Sequence, residues 1–497
     1  MANKKNELTY LQSPIPEGQK YYKSTKLSFS GLNRRHTLDT GVLSYEKNIS
    51  TVEAPYLTPS PKCADVATFS SQIIDIFGFD DFVVVLYVKD GKTMVQFMDE
   101  GQRSGKLSVF AYGTLSETDT TSHRSIVQFN VYDTPTDVVG GEFVKKLLIF
   151  PDKVSVDINV ERNYDAPTEL TLDSLETDTY KIPTLKYATV HLSRVFGVDD
   201  DRVYASGFND YANWNLDTAD EYNESNAWCS PAQANVKADS NFTGITTYQN
   251  HVVCFKRNFM HEIYNTKNPF RIQDIYAEGT IDNRTIQDVD GRLIFVSDDN
   301  VKIYTGSNPR IISHSLNIPK YDTAVSGQDG RNYYLYVTSG EEKHFFVYDT
   351  MFDEWSERYY GLGDIKGFAI NSKGTYMFTN RSIHRLNTSD FSGQDWAFET
   401  DLITNNTVDI KHIKKLQMLG DFTNCNLDVY ILYDDEVFDE ASSHKVFSRS
   451  NLTGRKAIRV KPRNTAHYGV KLHVEGIGYA KLYELEIFTQ QGGDLYV

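Results

Sequence analysis

The chain is expected to be all-β, a β-propeller of about six or seven blades followed by a C-terminal β-sandwich, and three observations lead there. First, a phrase of two alternating strands around a tight turn recurs. Gly291-Arg-Leu-Ile-Phe-Val-Ser297 runs into Val301-Lys-Ile-Tyr-Thr-Gly306, and after Gly330, Asn332-Tyr-Tyr-Leu-Tyr-Val337 pairs with His344-Phe-Phe-Val-Tyr-Asp349. Gly374-Thr-Tyr-Met-Phe-Thr379 with Ser382-Ile-His-Arg-Leu386 is a third, shorter copy, and the copies stand about 40 residues apart, a blade pitch. Second, Asp90-Gly91 lies between alternating apolar runs, a strong short-range hairpin signal. Third, the pattern changes after Trp396 to period-two strands without blade turns.

Taken in order, residues 1–63 read as an extended leader, polar and punctuated by prolines such as Pro55, Pro59 and Pro61. Such a leader wraps along the surface or supplies the strand that closes the ring. The propeller is placed at 64–397. Its units begin with Ile73–Phe77, Phe82–Val88 and Thr93–Met98, and continue through Ile126–Phe129, Val144–Phe150 and Val154–Val160. Thr189–Phe196 leads to Arg202–Phe208, and Thr243–Tyr248 with His251–Phe255 leads to Met260–Tyr264. Glycines 291, 330 and 374 are expected at the turns that open three of the blades. The sandwich is placed at 398–497, on the strands Ile413–Met418, Leu427–Tyr433, Lys456–Pro462, Tyr468–Val474 and Lys481–Phe488.

At 497 residues, 40% hydrophobic and 13% aromatic, the chain has material for a large core and two or three domains. Its net charge of −16, from 51 basic and 67 acidic residues, argues against a coat that neutralises nucleic-acid or membrane phosphates. It permits a channel through which DNA slides, because a repulsive lining prevents sticking. The longest apolar run, Phe82–Val88, is a buried strand and far too short to cross a bilayer as a helix; no secretory signal follows Met1. Cys63, Cys229, Cys254 and Cys425 show no metal or disulfide spacing and read as reduced thiols.

Catalytic chemistry is expected to be absent, with no catalytic, cofactor-binding or metal-ligating residue to nominate. No sialidase-type box, His-Glu-x-x-His, Gly-x-Ser-x-Gly, phosphate loop or dinucleotide fingerprint occurs. His261-Glu262 lacks a second histidine and reads as part of a strand, and Asp199-Asp200-Asp201 lacks calcium-loop spacing and reads as a solvated turn. Asn241-Phe-Thr243 and Asn283-Arg-Thr285 read as by-products of an Asn- and Thr-rich chain, and Trp355 after Val347-Tyr-Asp-Thr350 as a core residue under a blade. The basic residues Lys411, Lys414, Lys415, Arg455, Arg459 and Arg463 are either a solvated face or a docking surface for an acidic partner subunit.

Three segments together resemble a protein family. The leader Gly31-Leu-Asn33 to Leu38-Asp39, with Asn48-Ile-Ser50 and Tyr56-Leu-Thr-Pro59, looks like the opening of phage proteins of mostly β structure. Arg202-Val-Tyr-Ala-Ser-Gly-Phe-Asn-Asp-Tyr-Ala-Asn-Trp214 is similar to a stretch of tailed-phage tail-tube, tail nozzle and packaged-DNA stabilisation proteins. The end, Leu427–Tyr433, Arg459-Val-Lys-Pro-Arg463 and Val474-Glu-Gly-Ile-Gly478, resembles their terminal β-sandwich. The resemblance implies a structural virion protein of the tail or neck, assembled in the host cytoplasm as a homo-oligomeric ring, often of six copies, beneath portal and adaptor. It implies retention of packaged double-stranded DNA and passage of that DNA without sequence-specific binding, with no cofactor and no membrane. Two other classes stay open: a receptor- or glycan-binding or cleaving tail-tip propeller, and a cytoplasmic kelch-like scaffold.

Overall fold

The computed structural model describes residues 22–27, 29–35, 42–50, 52–101, 105–116, 121–132, 143–159, 161–176, 181–216, 222–230, 241–264, 266–276, 279–404, 410–434, 436–463 and 465–491. Leu38 and Asp39 of the leader motif lie outside the described residues.

Between Ala64 and Arg385 the described residues make seven successive antiparallel sheets, numbered 1 to 7 in chain order by their first strands, Ile73–Phe79, Ser125–Tyr132, Tyr187–His191, Phe242–Tyr248, Gln287–Val289, Thr323–Gln328 and Gly367–Asn371. Each has four strands paired in order, and sheet 1 gains a fifth, Thr168–Glu169, which runs parallel to its fourth. Each sheet shares a buried core with the next. Ile74, Phe82 and Phe97 of sheet 1 meet Ile126, Leu147 and Ile149 of sheet 2. Farther round, Val296 and Ile303 of sheet 5 meet Leu335, Phe346 and Trp355 of sheet 6. The last core joins Tyr376, Phe378 and Ile383 of sheet 7 back to Ile73, Val83 and Val85 of sheet 1. Sheets that bury both faces against neighbours in cyclic order form a β-propeller.

The ring is closed by a strand from its own beginning. The outer strand of sheet 7 is Ala64–Thr68, which pairs antiparallel with Ser382–Arg385, so the first propeller segment of the chain is stitched to the last. The stitch lies immediately after the expected leader. Close packing at the inner strands demands small residues: a Cβ on Gly78 would sit 1.8 Å from the carbonyl oxygen of Ile370.

Gly291 and Gly330 do sit in turns, whereas Gly374 is the first residue of a strand, just past its turn; each marks the connection between the first and second strands of its sheet. The innermost strands Gln287–Val289, Thr323–Gln328 and Gly367–Asn371 precede them and escape the sequence pattern, because small and polar residues such as Ser326, Gly327 and Gly367 break the apolar alternation. The expected single strand Thr189–Phe196 is a hairpin. Leu192 and Ser193 adopt positive φ of 46° and 57°, the turn geometry that matches strand twist, without the Asn or Gly that advertises it. Asp90 and Gly91, with φ of 52° and 74°, form the turn expected of them.

The C-terminal part is all-β, and its hydrogen bonds join it in one sheet of seven strands. Three are long: Lys411–Tyr433, His444–Val460 and Val470–Gln491. Expected strands merge here, since Ile413–Met418 and Leu427–Tyr433 lie on one strand, and Val470–Val474 and Lys481–Phe488 on another. The intervening turn signals are bulges: the register shifts between Phe422 and Cys425, Asn424 takes φ 46° and Gly478 φ 101°. The boundary set at 397/398 falls inside the strand Asp395–Thr400. The stretch assigned to the leader contributes Tyr22–Leu27 and Leu43–Lys47 to the same sheet.

Residues 31–35, 42–50 and 52–62 fasten this sheet to the propeller. The buried Asn48 is the hub: its N–H donates to the Glu357 carbonyl at 2.9 Å, its Nδ2 donates to the Asp395 carbonyl at 2.8 Å, and its Oδ1 accepts from the Tyr359 N–H at 2.6 Å.

Candidate docking edge and cavities

The seven-stranded sheet is ordered so that His444–Val460 is one edge. That strand has 17 residues, about 55 Å if fully extended, and among the described residues only its partner Lys411–Tyr433 pairs with it. Most of its residues are exposed, and buried ones are few. Leu452, Ile458 and Val460 turn into the core, while Arg449, Arg455, Lys456 and Arg459 are exposed. Lys461 and Arg463 follow, also exposed. Between Glu440 and Glu475 the chain carries eight Lys and Arg and no Asp or Glu, a strongly basic stretch in a chain of net charge −16. This absence of acid is the sequence signal that nominating individual cations overlooks.

The six nominated cations separate in space. Arg455 lies over the Tyr483 ring at 5.1 Å, and Arg459 stands opposite Gln417 on the neighbouring strand. Arg463 is exposed just beyond the strand end. Lys415 is half-buried with its Nζ 4.1 Å from the Phe488 ring centre, and Lys414 is also half-buried. Lys411 is interior, at 2% exposure, and its Nζ donates to the Tyr468 carbonyl at 2.8 Å. Arg455 and Arg459 therefore share the open edge, with Arg463 just past its end, whereas Lys411 belongs to the interior of the sheet.

The opposite edge region of this sheet holds a cavity of about 530 Å³ lined by Tyr45, Asp395, Glu399, Phe438, Lys471, His473 and Glu475, among others. His473 is 4% exposed; Phe438 stacks on it at 3.6 Å between centroids, with Tyr45 at 6.1 Å. Glu399 Oε2 is 3.5 Å from its Nδ1, and Glu475 Oε2 is 3.9 Å from its Nε2. Burial would raise the Glu399 carboxyl, but His473 and Lys471 outweigh burial and hold it below its ordinary range. Glu399 is thus kept ionised, the opposite of what a general acid needs. A second cavity of about 420 Å³ lies where residues 50–61 meet sheet 6 and includes Arg331 and Arg358.

The propeller axis is bridged by side chains. Arg284, at the entry to sheet 5, donates from Nη1 to His123 Nε2 at 2.8 Å and to the Lys366 carbonyl at 3.3 Å. Because arginine only donates, His123 Nε2 accepts and its Nδ1–H donates to Asp75 Oδ2 at 3.0 Å. Groups leading into sheets 1, 2, 5 and 7 meet in this one cluster. No sequence motif announces it, since the four partners are far apart in the chain.

The other residues singled out in the sequence have structural settings. His261 pairs with Asp274 at 2.8 Å, and Glu262 accepts from the hydroxyls of Tyr264 and Tyr304. Asp199 Oδ1 accepts from the N–H groups of Asp201 and Arg202 at 2.7 Å, closing a surface turn. Asn283 Oδ1 accepts from the Ile245 N–H, and the Trp355 indole donates to the Ile312 carbonyl inside the core between sheets 5 and 6. The Arg202–Trp214 stretch is held by a residue that no motif marks, Arg194. Its guanidinium, 1% exposed, donates to the carbonyls of Ser206, Glu224 and Asn226, and burial lowers its pKa from the usual range. Among the described residues no group of three or more His, Cys, Asp or Glu is placed to hold a metal ion.

No family model matches the chain, and no curated protein matches it. Among solved structures, the WD40 domain of coronin from Toxoplasma gondii is similar at 8% identity and a TM-score of 0.36, covering 71% of this chain and 87% of that one. A putative exported protein from Bacteroides fragilis is similar at 10% identity and a TM-score of 0.30, covering 66% of this chain and 95% of that one.

Proposed function

We propose that this chain is a non-enzymatic structural protein of a tailed-phage virion, a ring-forming tail nozzle or head-to-tail connector component that retains packaged DNA and borders its exit channel. In this reading the seven sheets are seven blades, and the C-terminal sheet bends at its bulges into the two layers of a sandwich around its single core. The observation that carries the reading is the open, basic edge His444–Val460 on an otherwise acidic chain. A long unpaired edge is normally blunted or covered, and here it offers main-chain hydrogen bonds and charge to a neighbouring subunit.

Two further features support it. Arg284 and His123 bridge the propeller axis, so any channel for DNA lies between subunits rather than through one propeller. Net negative charge on the subunits gives such a channel a lining from which DNA is repelled, allowing sliding without adhesion. Portal, adaptor and other tail proteins are the neighbours this role requires, and the virion tail or neck is its place.

The test is incorporation. The chain should co-purify with intact particles, detected by mass spectrometry. Arg455→Glu, Arg459→Glu and Arg463→Glu together should leave it folded by circular dichroism, keep it out of particles and leave those particles leaking DNA. Normal incorporation with full genome retention would remove the docking role. Hydrolysis of glycans or peptidoglycan by the purified chain, abolished by Glu399→Gln or Glu475→Gln, would instead favour the tail-tip enzyme.

A further inference from the structure

The open edge needs an occupant, and charge decides among the candidates. Two copies of His444–Val460 paired with each other would bring Arg449, Arg455, Lys456 and Arg459 of both strands together, an unfavourable like-charge ladder. An isologous contact is therefore disfavoured, and the edge calls for an acidic, extended and exposed segment elsewhere.

The outer rim of the propeller offers such a segment. Outer strands in sheets 3, 4 and 5 are neutral or basic: Trp228–Cys229, Arg271–Tyr276 and Arg310–Ile311. In sheet 6 the outer strand Glu354–Arg358 is met by backbone hydrogen bonds from Leu32 and Asn48. In sheet 7 the outer strand Ala64–Thr68 carries a single acid, Asp65, engaged by His384; sheets 1 and 2 differ. Their outermost strands, Thr168–Glu169 and Asp173–Ser174, are exposed, and each is paired on one side only. They lie on one continuous piece of chain, 161–176, with Glu161, Asp165, Glu169 and Asp173 all exposed. From residue 163 to residue 180 there is no Lys, Arg or His. Of the neighbouring cations, Arg162 is engaged by Asp81 and Asp99, Lys153 by Glu176, and Lys146, which also feels Asp173, by Asp157.

We propose that the basic edge His444–Val460 of one copy docks on the acidic outer rim 161–176 of sheets 1 and 2 in a second copy. This rests on the ring-forming reading and names the partner surface for it. Because the two surfaces differ, the contact is head-to-tail, and repeating it closes a ring or extends a filament according to the rotation between copies. The free backbone edges of Thr168–Glu169 and Asp173–Ser174 are short, so charge rather than a long ladder selects the partner.

The experiment is a charge swap on the full chain, with self-association measured by sedimentation velocity at low salt. Wild type should form oligomers that weaken as salt rises. Reversing the edge (Arg455→Glu, Arg459→Glu, Arg463→Glu) or the rim (Asp165→Lys, Glu169→Lys, Asp173→Lys) should each weaken association by at least about tenfold. Mixing the two variants, or combining both sets in one chain, should restore it, which also shows that the substituted chains fold. Loss of association in both variants without recovery on combination would overturn the proposal, as would a wild-type chain that stays monomeric. If edge reversal blocks incorporation into particles while rim reversal does not, the edge serves another virion protein: the head-to-tail contact falls and the virion role stands.

Discussion

The propeller and the C-terminal sheet solve the problem of strand edges in opposite ways. In the propeller every strand has nine residues or fewer, sheets are covered on both faces by their neighbours, and the final strand is supplied by Ala64–Thr68 from the other end of the chain. In the C-terminal sheet three strands reach 17 to 23 residues, and one of them, His444–Val460, ends the sheet in the open. The first region is closed upon itself and even its axis is bridged. The second leaves main-chain groups and cations outward, so contacts between molecules are expected there and contacts within the molecule in the ring.

The comparison breaks most sharply at Gly78. A valine there would place Cβ against the Ile370 carbonyl oxygen, at the seam between sheets 1 and 7, where backbone has no room to move. Gly78→Val should cost about 3 kcal/mol or more, read as a lowered midpoint of chemical denaturation followed by tryptophan fluorescence. A shift below about 1 kcal/mol would mean that the ring is looser than its close approaches indicate.

Next in size is the hinge between the two regions. Asn48→Ala removes the acceptor for the Tyr359 N–H and the donor to Asp395, leaving polar groups unpaired at a buried site. The expected loss is about 2 kcal/mol, with earlier proteolytic separation of the C-terminal sheet from the propeller. Unchanged proteolysis would show that Leu32, packed in the core between sheets 5 and 6, and the Leu57–Leu482 backbone bridge hold the two together without Asn48.

How much of this is legible in the sequence follows from what each element exposes. Second and third strands of the sheets, such as Phe82–Lys89 and Asn332–Ser339, are nearly continuous apolar runs buried on both faces, and they stand out. Innermost strands near the axis are short of large residues because neighbours crowd them, as Gly78 and Gly327 show, and they look like loops. In the C-terminal region the period-two pattern is correct, but Asn424 and Gly478 read as turns when they are bulges inside unbroken strands. At the open edge Arg455 and Arg459, and Arg463 just beyond it, are legible as exposed cations from charge alone, since such residues need no tertiary partner. Arg194, Arg284 and His473 are not, because each is defined by residues distant in the chain.

A smaller effect concerns pH where the strand Leu43–Lys47 meets the outer strand Glu354–Arg358 of sheet 6. Glu46 is 2% exposed, and burial together with the nearby Glu354 raises its carboxyl well above the ordinary range. Glu354 is pushed up to about 7 by burial and then by Asp349. A folded value above the unfolded one, about 4.3 for glutamate, means that Glu354 favours the folded state below that value and loses the advantage as pH rises through about 7, and Glu46 is shifted in the same direction. Glu354→Gln should therefore flatten the decline in melting temperature between about pH 5 and pH 8 relative to wild type. An unchanged slope would place the titration elsewhere.

The smallest expected change is at the open edge. Arg455 and Arg459 are exposed and form no ion pair among the described residues, so exchanging each for alanine removes a solvated cation and, for Arg455, a contact with the Tyr483 ring. Each should alter stability by no more than about 0.5 kcal/mol, measured by the same denaturation midpoint used for Gly78→Val. Between them lies Ile458, whose side chain belongs to the core, and Ile458→Ala on the same strand should cost about 2 kcal/mol. The pair of results separates the two faces of one strand. A loss above about 1.5 kcal/mol at either arginine would make that cation part of the fold, and its role in docking would then have to be measured apart from stability.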